Sequence, residues 1–113
     1  MLYLTGANLK EGVLAEYVAW MKKNKKQIKE HAPPGWTYRG TYMSVLGFGR
    51  YHVYEMWELK KYGDFDVARN WKDKVSDRLA AEGASFFIQN EGEAMLLRDF
   101  DDVVFIEPKK PKK

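Results

Sequence analysis

The chain has 113 residues, of which 45% are hydrophobic and 31% charged, so it fits one compact domain that buries roughly two-thirds of its unfolded surface. It has no cysteine and two histidines, which excludes a disulfide framework and a thiol nucleophile and predicts no metal site. The net charge is +3, but four lysines lie in the terminal PKKPKK, and the remainder without them carries −1. We interpret residues 1–107 as one domain and residues 108–113 as a disordered, solubilising tail.

The sequence contains no apolar run of the length that spans a membrane. The first residues, MLYLTGANLKEG, place no basic segment ahead of an apolar one, so no secretory signal is visible. We therefore expect a cytoplasmic protein with no membrane partner.

The first half of the chain predicts a short strand at residues 2–4 and a long amphipathic helix at residues 9–31. Asn8 and Glu11 have the spacing of a capping box at the start of this helix. Prolines 33 and 34, followed by a glycine, end it. The apolar side chains fall on one arc of the helical wheel: Val13, Leu14, Tyr17, Val18, Trp20, Met21 and Ile28.

An aromatic hairpin follows at residues 36–59, and both of its strands are apolar on both faces. A second amphipathic helix begins at Asp64 or Asp66 and ends near Gly83. Residues 93–100 then predict a fourth strand, with VVFI at 103–106 as an extension of it.

This order of elements, βαββαβ, predicts an α+β fold of the ferredoxin-like type. Right-handed crossovers give a four-stranded antiparallel sheet with both helices on one face. The helices can cover only that face, so the second apolar face must meet another subunit or a ligand.

Strand alternation predicts which hairpin side chains point away from the helices. A charged side chain in mid-strand is poorly accommodated under a helix. We therefore assign Arg39 and Glu55, with the side chains on the same side of their strands, to the face that points away from the helices, which we call the open face. A three-residue loop at Gly47, Phe48 and Gly49 would place Arg39 opposite Trp57 and Thr41 opposite Glu55. The predicted site residues are Arg39, Thr41, Met43, Val53, Glu55 and Trp57.

The segment HVYEMWELKKYGDF, residues 52–65, resembles the dimeric α+β barrel superfamily, and within it the antibiotic-biosynthesis-monooxygenase-like and NIPSNAP-like domains. The resemblance implies that two ferredoxin-like sheets stack their open faces into a barrel whose interior holds a substrate or haem. It therefore implies a homodimer.

Haem-degrading members of that superfamily are expected to carry an asparagine on the first strand, a tryptophan at the end of the third and a histidine on the second helix. Trp57 matches the second of these positions, but the first strand reads LYLT and the second helix contains no histidine. We therefore predict neither haem nor another cofactor. We interpret His52 as a surface residue and His31 as a helix-end residue, and neither as a catalyst.

The predicted function is the binding of a small, partly apolar molecule inside a homodimeric barrel, with or without cofactor-independent catalysis of the oxygenase or isomerase type. Arg39 and Glu55 would orient polar groups of the ligand, and Thr41 would form a hydrogen bond. Val53, Met43 and Trp57 would supply apolar walls. A buried Glu55 with a raised pKa is the candidate general base.

Two other functions fit the same sequence. One is a structural homodimer without a ligand. The other is a single-stranded RNA binder, because LYLTGANL at residues 2–9 and GFGRYHVY at residues 47–54 are similar to the two motifs of RNA-recognition-motif domains. Both matches need extra residues to align, and Arg50 lies where the longer motif requires an aromatic residue, so we expect no nucleic-acid partner.

Overall fold

The computed structural model describes residues 1–46 and 50–102. In this part of the chain the strands form one antiparallel sheet in the order β2-β3-β1-β4. This topology confirms the predicted ferredoxin-like α+β fold. The elements are β1 (Leu2–Ala7), α1 (Leu14–Glu30), β2 (Trp36–Met43), β3 (Val53–Leu59), α2 (Asp64–Asn70), α3 (Lys74–Ala84), β4 (Glu93–Leu97) and a 3₁₀ turn (Phe100–Asp102).

Helix α1 begins at Leu14, later than predicted, and the capping box at its start was wrong. The side-chain oxygen of Asn8 instead accepts a hydrogen bond from the backbone N–H of His52, at 3.0 Å. Leu9 forms an isolated β-bridge with Phe87. These pairings tie residues 8 and 9 to other parts of the fold, so the chain enters the helix only after a turn.

The predicted second helix is divided in two at Trp71, whose backbone is extended with ψ near 133°. Asp73 then caps α3 by accepting a hydrogen bond from the backbone N–H of Ser76. Asp64 is buried and is not a cap, because its carboxylate accepts hydrogen bonds from the backbone N–H groups of Lys60 and Lys61, both at 3.0 Å. The break at Trp71 separates α2 from α3, and α3 packs against α1.

Strand β4 ends at Leu97, three residues before the predicted end. The predicted extension at residues 103–106 and the tail at residues 108–113 lie outside the described residues. Within the described residues, no helix is long and apolar enough to span a membrane.

A β-bulge at Arg39 sets the register of β2 against β3. Tyr38 pairs with Trp57 and Gly40 with Met56, so Arg39 is the extra residue. Gly40 has a φ of 135°, a backbone conformation that favours glycine. Beyond the bulge Thr41 lies opposite Glu55, as predicted, whereas the predicted pairing of Arg39 with Trp57 is wrong.

The connection between β2 and β3 is also longer than the predicted three-residue loop. Met43 pairs with Val53, so the connection spans residues 44–52. The predicted loop residues 47–49 lie outside the described residues.

The assignment of β3 to the two sheet faces was reversed by the structure. Val53 packs with Leu9 and Tyr17 in the core under α1, so Val53, Glu55 and Trp57 face the helices. Tyr54 and Met56 face the other way. The reason is that a pocket lies beneath the helices, so a carboxyl group on this face borders open space as well as apolar side chains.

We call these two surfaces the helix face and the open face of the sheet. The helix face carries Tyr3, Thr5, Ala7, Val53, Glu55 and Trp57, and the open face carries Leu2, Leu4, Tyr54, Met56, Met95 and Leu97.

Candidate ligand pocket

A pocket of about 330 Å³ lies between the helix face of the sheet and helices α1 and α3. We call it the helix-side pocket. Its volume is at the lower end of the roughly 300–1,000 Å³ that is usual for small-molecule sites. Its apolar walls include Trp20, Met21 and Ile28 of α1, Leu79 of α3, and Val53 and Trp57 of β3.

Glu55 is the carboxyl group on the sheet wall of this pocket. Its Oε1 accepts a hydrogen bond from the indole N–H of Trp57. Burial raises the pKa of Glu55 above its ordinary value of 4.5, and the hydrogen bond from Trp57 lowers it in part. The acid form of Glu55, which can donate a hydrogen bond, therefore persists to higher pH than in a solvated glutamate.

Tyr17 supplies a second polar group next to Glu55. The residue is 3% exposed and its ring packs edge-on against Phe86 and Phe87. The pKa of Tyr17 is raised first by burial and then by the negative charge of Glu55, which lines the same pocket. Within residues 1–46 and 50–102 its hydroxyl group has no hydrogen-bond partner, so it is available to a ligand.

His31 and Asp73 form a pair at the mouth of the pocket. Nδ1 of His31 lies 2.7 Å from Oδ2 of Asp73, and the two side chains are 35% and 22% exposed. His31 is the C-cap residue of α1 and lines the pocket, whereas Asp73 is the N-cap residue of α3. The sequence analysis did not predict this pair, because only the packing of α1 on α3 brings together residues so far apart in the chain. The spacing of Asp73 and Ser76 is that of a helix N-cap and could have located the start of α3.

The structure brings together three of the six predicted site residues. Val53, Glu55 and Trp57 line the helix-side pocket, and Thr41 lies across from Glu55 on β2. The hydroxyl group of Thr41 is hydrogen-bonded to that of Tyr38 and is not part of the pocket wall.

Arg39 and Met43 do not join this group. Arg39 forms an ion pair with Glu58, which lies on the opposite side of the sheet from Glu55, so the two charged side chains that were predicted to orient the ligand are not brought together. The bulge is the physical reason, because it leaves Arg39 out of the alternation on which the prediction was based. Met43 is paired with Val53 at the end of β2 but is exposed and outside the pocket.

No metal centre accompanies the pocket in the part of the chain described: within residues 1–46 and 50–102, no three His, Asp or Glu side chains cluster as a metal ion would require.

No family model matches the sequence, and no curated protein matches it. The fold, in contrast, is similar to the folds of several solved structures. A NIPSNAP family protein from Agrobacterium tumefaciens aligns over 88% of this chain and 86% of its own, with a TM-score of 0.65 and 16% identity. A NIPSNAP domain protein from Burkholderia xenovorans aligns over 88% and 95%, with a TM-score of 0.62 and 13% identity.

A third similar structure is described as an antibiotic biosynthesis monooxygenase. It aligns over 88% of this chain and 98% of its own, with a TM-score of 0.57 and 11% identity. At such low identity these similarities establish the fold and leave the activity open. They confirm, at the level of the fold, the resemblance that residues 52–65 indicated. The chain therefore has the ferredoxin-like fold shared by NIPSNAP family proteins and antibiotic biosynthesis monooxygenases.

Proposed function

We propose that this protein binds a small, uncharged, largely apolar molecule in the helix-side pocket, and that two copies pair through their open faces. The observation that carries the proposal is a carboxyl group of raised pKa, Glu55, on the wall of an otherwise largely apolar pocket. At a pH below that raised pKa, the carboxyl group can donate a hydrogen bond to a ligand oxygen.

The pocket walls define the class of ligand. Aromatic and aliphatic side chains favour a flat, apolar body, and Trp20 and Trp57 offer ring surfaces to it. Glu55 in its acid form and the hydroxyl group of Tyr17 are two hydrogen-bond donors in the same pocket, which suits a ligand with an acceptor such as a carbonyl oxygen. An uncharged aromatic ketone combines both properties.

The open face supports the second half of the proposal. Met95 and Leu97 on this face are 53% and 43% exposed, and Leu2, Leu4 and Met56 lie beside them. Ion pairs between Arg39 and Glu58 and between Arg50 and Glu93 accompany the apolar side chains. An apolar surface with polar groups around it is typical of a protein interface, and a second copy offers a surface of the same kind.

Ligand binding and subunit pairing, which were both predicted for the open face, then take place on different faces of the sheet. The ligand occupies the helix face, and the partner subunit covers the open face. Arg39, which was predicted to orient the ligand, lies on the side proposed for the partner.

Binding can be tested with 2-acetylnaphthalene, an uncharged aromatic ketone. Titration would be followed by tryptophan fluorescence, because Trp20 and Trp57 line the pocket. The variant Ala80→Phe places a ring in the pocket and should weaken binding by about tenfold or more, which corresponds to about 1.4 kcal/mol. Ala81→Phe is the matched control, since Ala81 is the next residue of α3, is exposed and does not line the pocket.

Saturable binding that Ala80→Phe weakens and Ala81→Phe preserves would support the proposal. Absence of binding, or equal loss in both variants with unchanged melting temperatures, would contradict it.

A further inference from the structure

A groove of about 530 Å³ lies between helix α1 and strand β2, which is an edge strand of the described sheet. We call it the basic groove. Its β2 wall is formed by residues 38–42, where the bulge at Arg39 interrupts the regular strand. The basic groove and the helix-side pocket have no lining residue in common, so they are separate sites. Its α1 wall carries four lysines: Lys22, Lys25, Lys26 and Lys29.

The positive charges of the basic groove are largely left without acidic partners. Of the four lysines, only Lys26 has an ion pair within residues 1–46 and 50–102, to Glu30 at 3.8 Å. Those two side chains are 86% and 54% exposed, so solvent screens the pair. Arg39 is paired with Glu58. No acidic side chain is among the described residues that line the groove, so three ammonium groups there are available to an anion.

The spacing of these lysines is unfavourable for the helix that carries them. They are three or four residues apart, so their charges are neighbours on one face of α1. Like charges at this spacing destabilise a helix. The helix dipole favours cations only in the last turn, which accounts for Lys29 but not for Lys22 or Lys25. A bound anion would relieve this repulsion.

The charge and length of the groove define the kind of anion. Helix α1 rises about 10 Å from Lys22 to Lys29, which suits an elongated anion with several charges along its length. Lysine is a common binder of phosphate groups. A chain of phosphate groups combines both properties. A nucleic acid is a less suitable occupant, because the chain without its four terminal lysines carries a net charge of −1 and offers little long-range attraction to a polyanion.

We propose that the basic groove binds a chain of phosphate groups, either free or attached to a nucleoside. The lysines of α1 hold the phosphate oxygens by charge-assisted hydrogen bonds. Tyr42 lines the groove and is 55% exposed, so its ring is available to stack on the base of a nucleotide. This inference does not depend on the helix-side pocket.

The lysines could instead serve only as a solvated surface, and two pairs of substitutions with the same loss of charge distinguish these roles. Lys22→Gln with Lys25→Gln removes two charges from the groove. Lys10→Gln with Lys23→Gln is the control, because both residues are exposed and lie outside the groove, and Lys23 is on the same helix. Binding of tripolyphosphate and of ATP is measured by calorimetry at physiological ionic strength, with EDTA present to remove metal ions.

The unaltered protein and the control variant should bind tripolyphosphate with a submillimolar Kd. The groove variant should bind it about tenfold or more weakly, because two charged hydrogen bonds are lost. Without ligand, the groove variant should melt at the same temperature as the unaltered protein or higher, since repulsion within α1 is removed. Tighter binding of ATP than of tripolyphosphate would identify a nucleotide as the ligand, and equal binding would identify the phosphate chain alone.

Absence of binding of both probes to the unaltered protein would overturn the inference. Equal weakening in the two double variants, or binding that the groove variant retains, would also overturn it, because the attraction would then not come from the groove. A single-stranded thymidine oligonucleotide that displaces ATP and binds more than about tenfold tighter than either probe would assign the groove to a nucleic acid instead. None of these results would affect the proposal for the helix-side pocket.

Discussion

The indole N–H of Trp57 donates a hydrogen bond to Oε1 of Glu55, two residues earlier on the same strand. Alternation along β3 places both side chains on the helix face, so the strand itself fixes this contact. The hydrogen bond favours the carboxylate and burial favours the acid, and burial has the larger effect on the pKa of Glu55. Trp57 thus orients a carboxyl group whose charge the pocket disfavours.

Binding of 2-acetylnaphthalene should weaken as the pH rises through the raised pKa of Glu55. The carboxylate that forms can no longer donate a hydrogen bond to the carbonyl oxygen. Glu55→Gln keeps a donor at all pH values, so its affinity should equal that of the unaltered protein at low pH and should not change as the pH rises. Fluorescence titrations over a pH series would measure this, and a Glu55→Gln variant with the original pH dependence would refute the role of Glu55.

The free energy of unfolding should also respond to Glu55. Because its pKa is higher in the folded protein than the ordinary 4.5, the folded state binds more protons, and stability should fall as the pH rises from 4.5 through the folded-state pKa. Glu55→Gln should remove this decline. Urea denaturation over that pH range is the measurement, with Glu91→Gln as control because Glu91 is exposed. A decline of the same size in Glu55→Gln would mean that another group causes it.

Replacement of Trp57 by Phe should raise the pKa of Glu55 further. The substitution keeps an aromatic ring and removes the N–H group that lowers this pKa. The carboxyl carbon of Glu55, followed by ¹³C NMR across a pH titration, reports the change directly. Trp36→Phe is the comparison, because the indole N–H of Trp36 donates to the backbone oxygen of Asp64 instead. An unchanged titration in Trp57→Phe would show that the hydrogen bond has no influence on the acid.

The proposed dimer should depend on Met56, which lies on the open face. Met56→Asp would bury an unpaired charge in the interface, so the variant should have the 13.2 kDa mass of one chain, whereas the unaltered protein should have twice that mass. Light scattering over a dilution series measures this. Val67→Asp is the control, since Val67 is an exposed apolar residue on α2. An unaltered protein that has the mass of one chain at all concentrations would disprove the dimer.

The order of elements was predictable because each strand and helix has its own periodicity in the sequence. The pairing of Thr41 with Glu55 was predicted correctly, but the sheet faces were not. Gly40 within a strand was a signal for the bulge at Arg39, since a glycine at such a position often marks one. The assumption that a charged side chain in mid-strand points away from the helices failed for Glu55, because no local pattern reveals a pocket.

The pair formed by His31 and Asp73 could not be predicted from sequence patterns, for a different reason. His31 ends one helix, and Asp73 begins a helix that the sequence analysis had merged with the preceding one. Their contact depends on the break at Trp71, where an extended backbone interrupts an otherwise continuous apolar periodicity. Only the packing of α3 on α1 brings the two side chains to the same pocket.

A crystal structure of the protein soaked with 2-acetylnaphthalene tests the central claim most directly. We expect electron density for the naphthalene ring between the helix face and helices α1 and α3, with the carbonyl oxygen within hydrogen-bonding distance of Glu55. Density for the probe on the open face of the sheet, or an empty helix-side pocket in crystals whose protein binds the probe in solution, would contradict it.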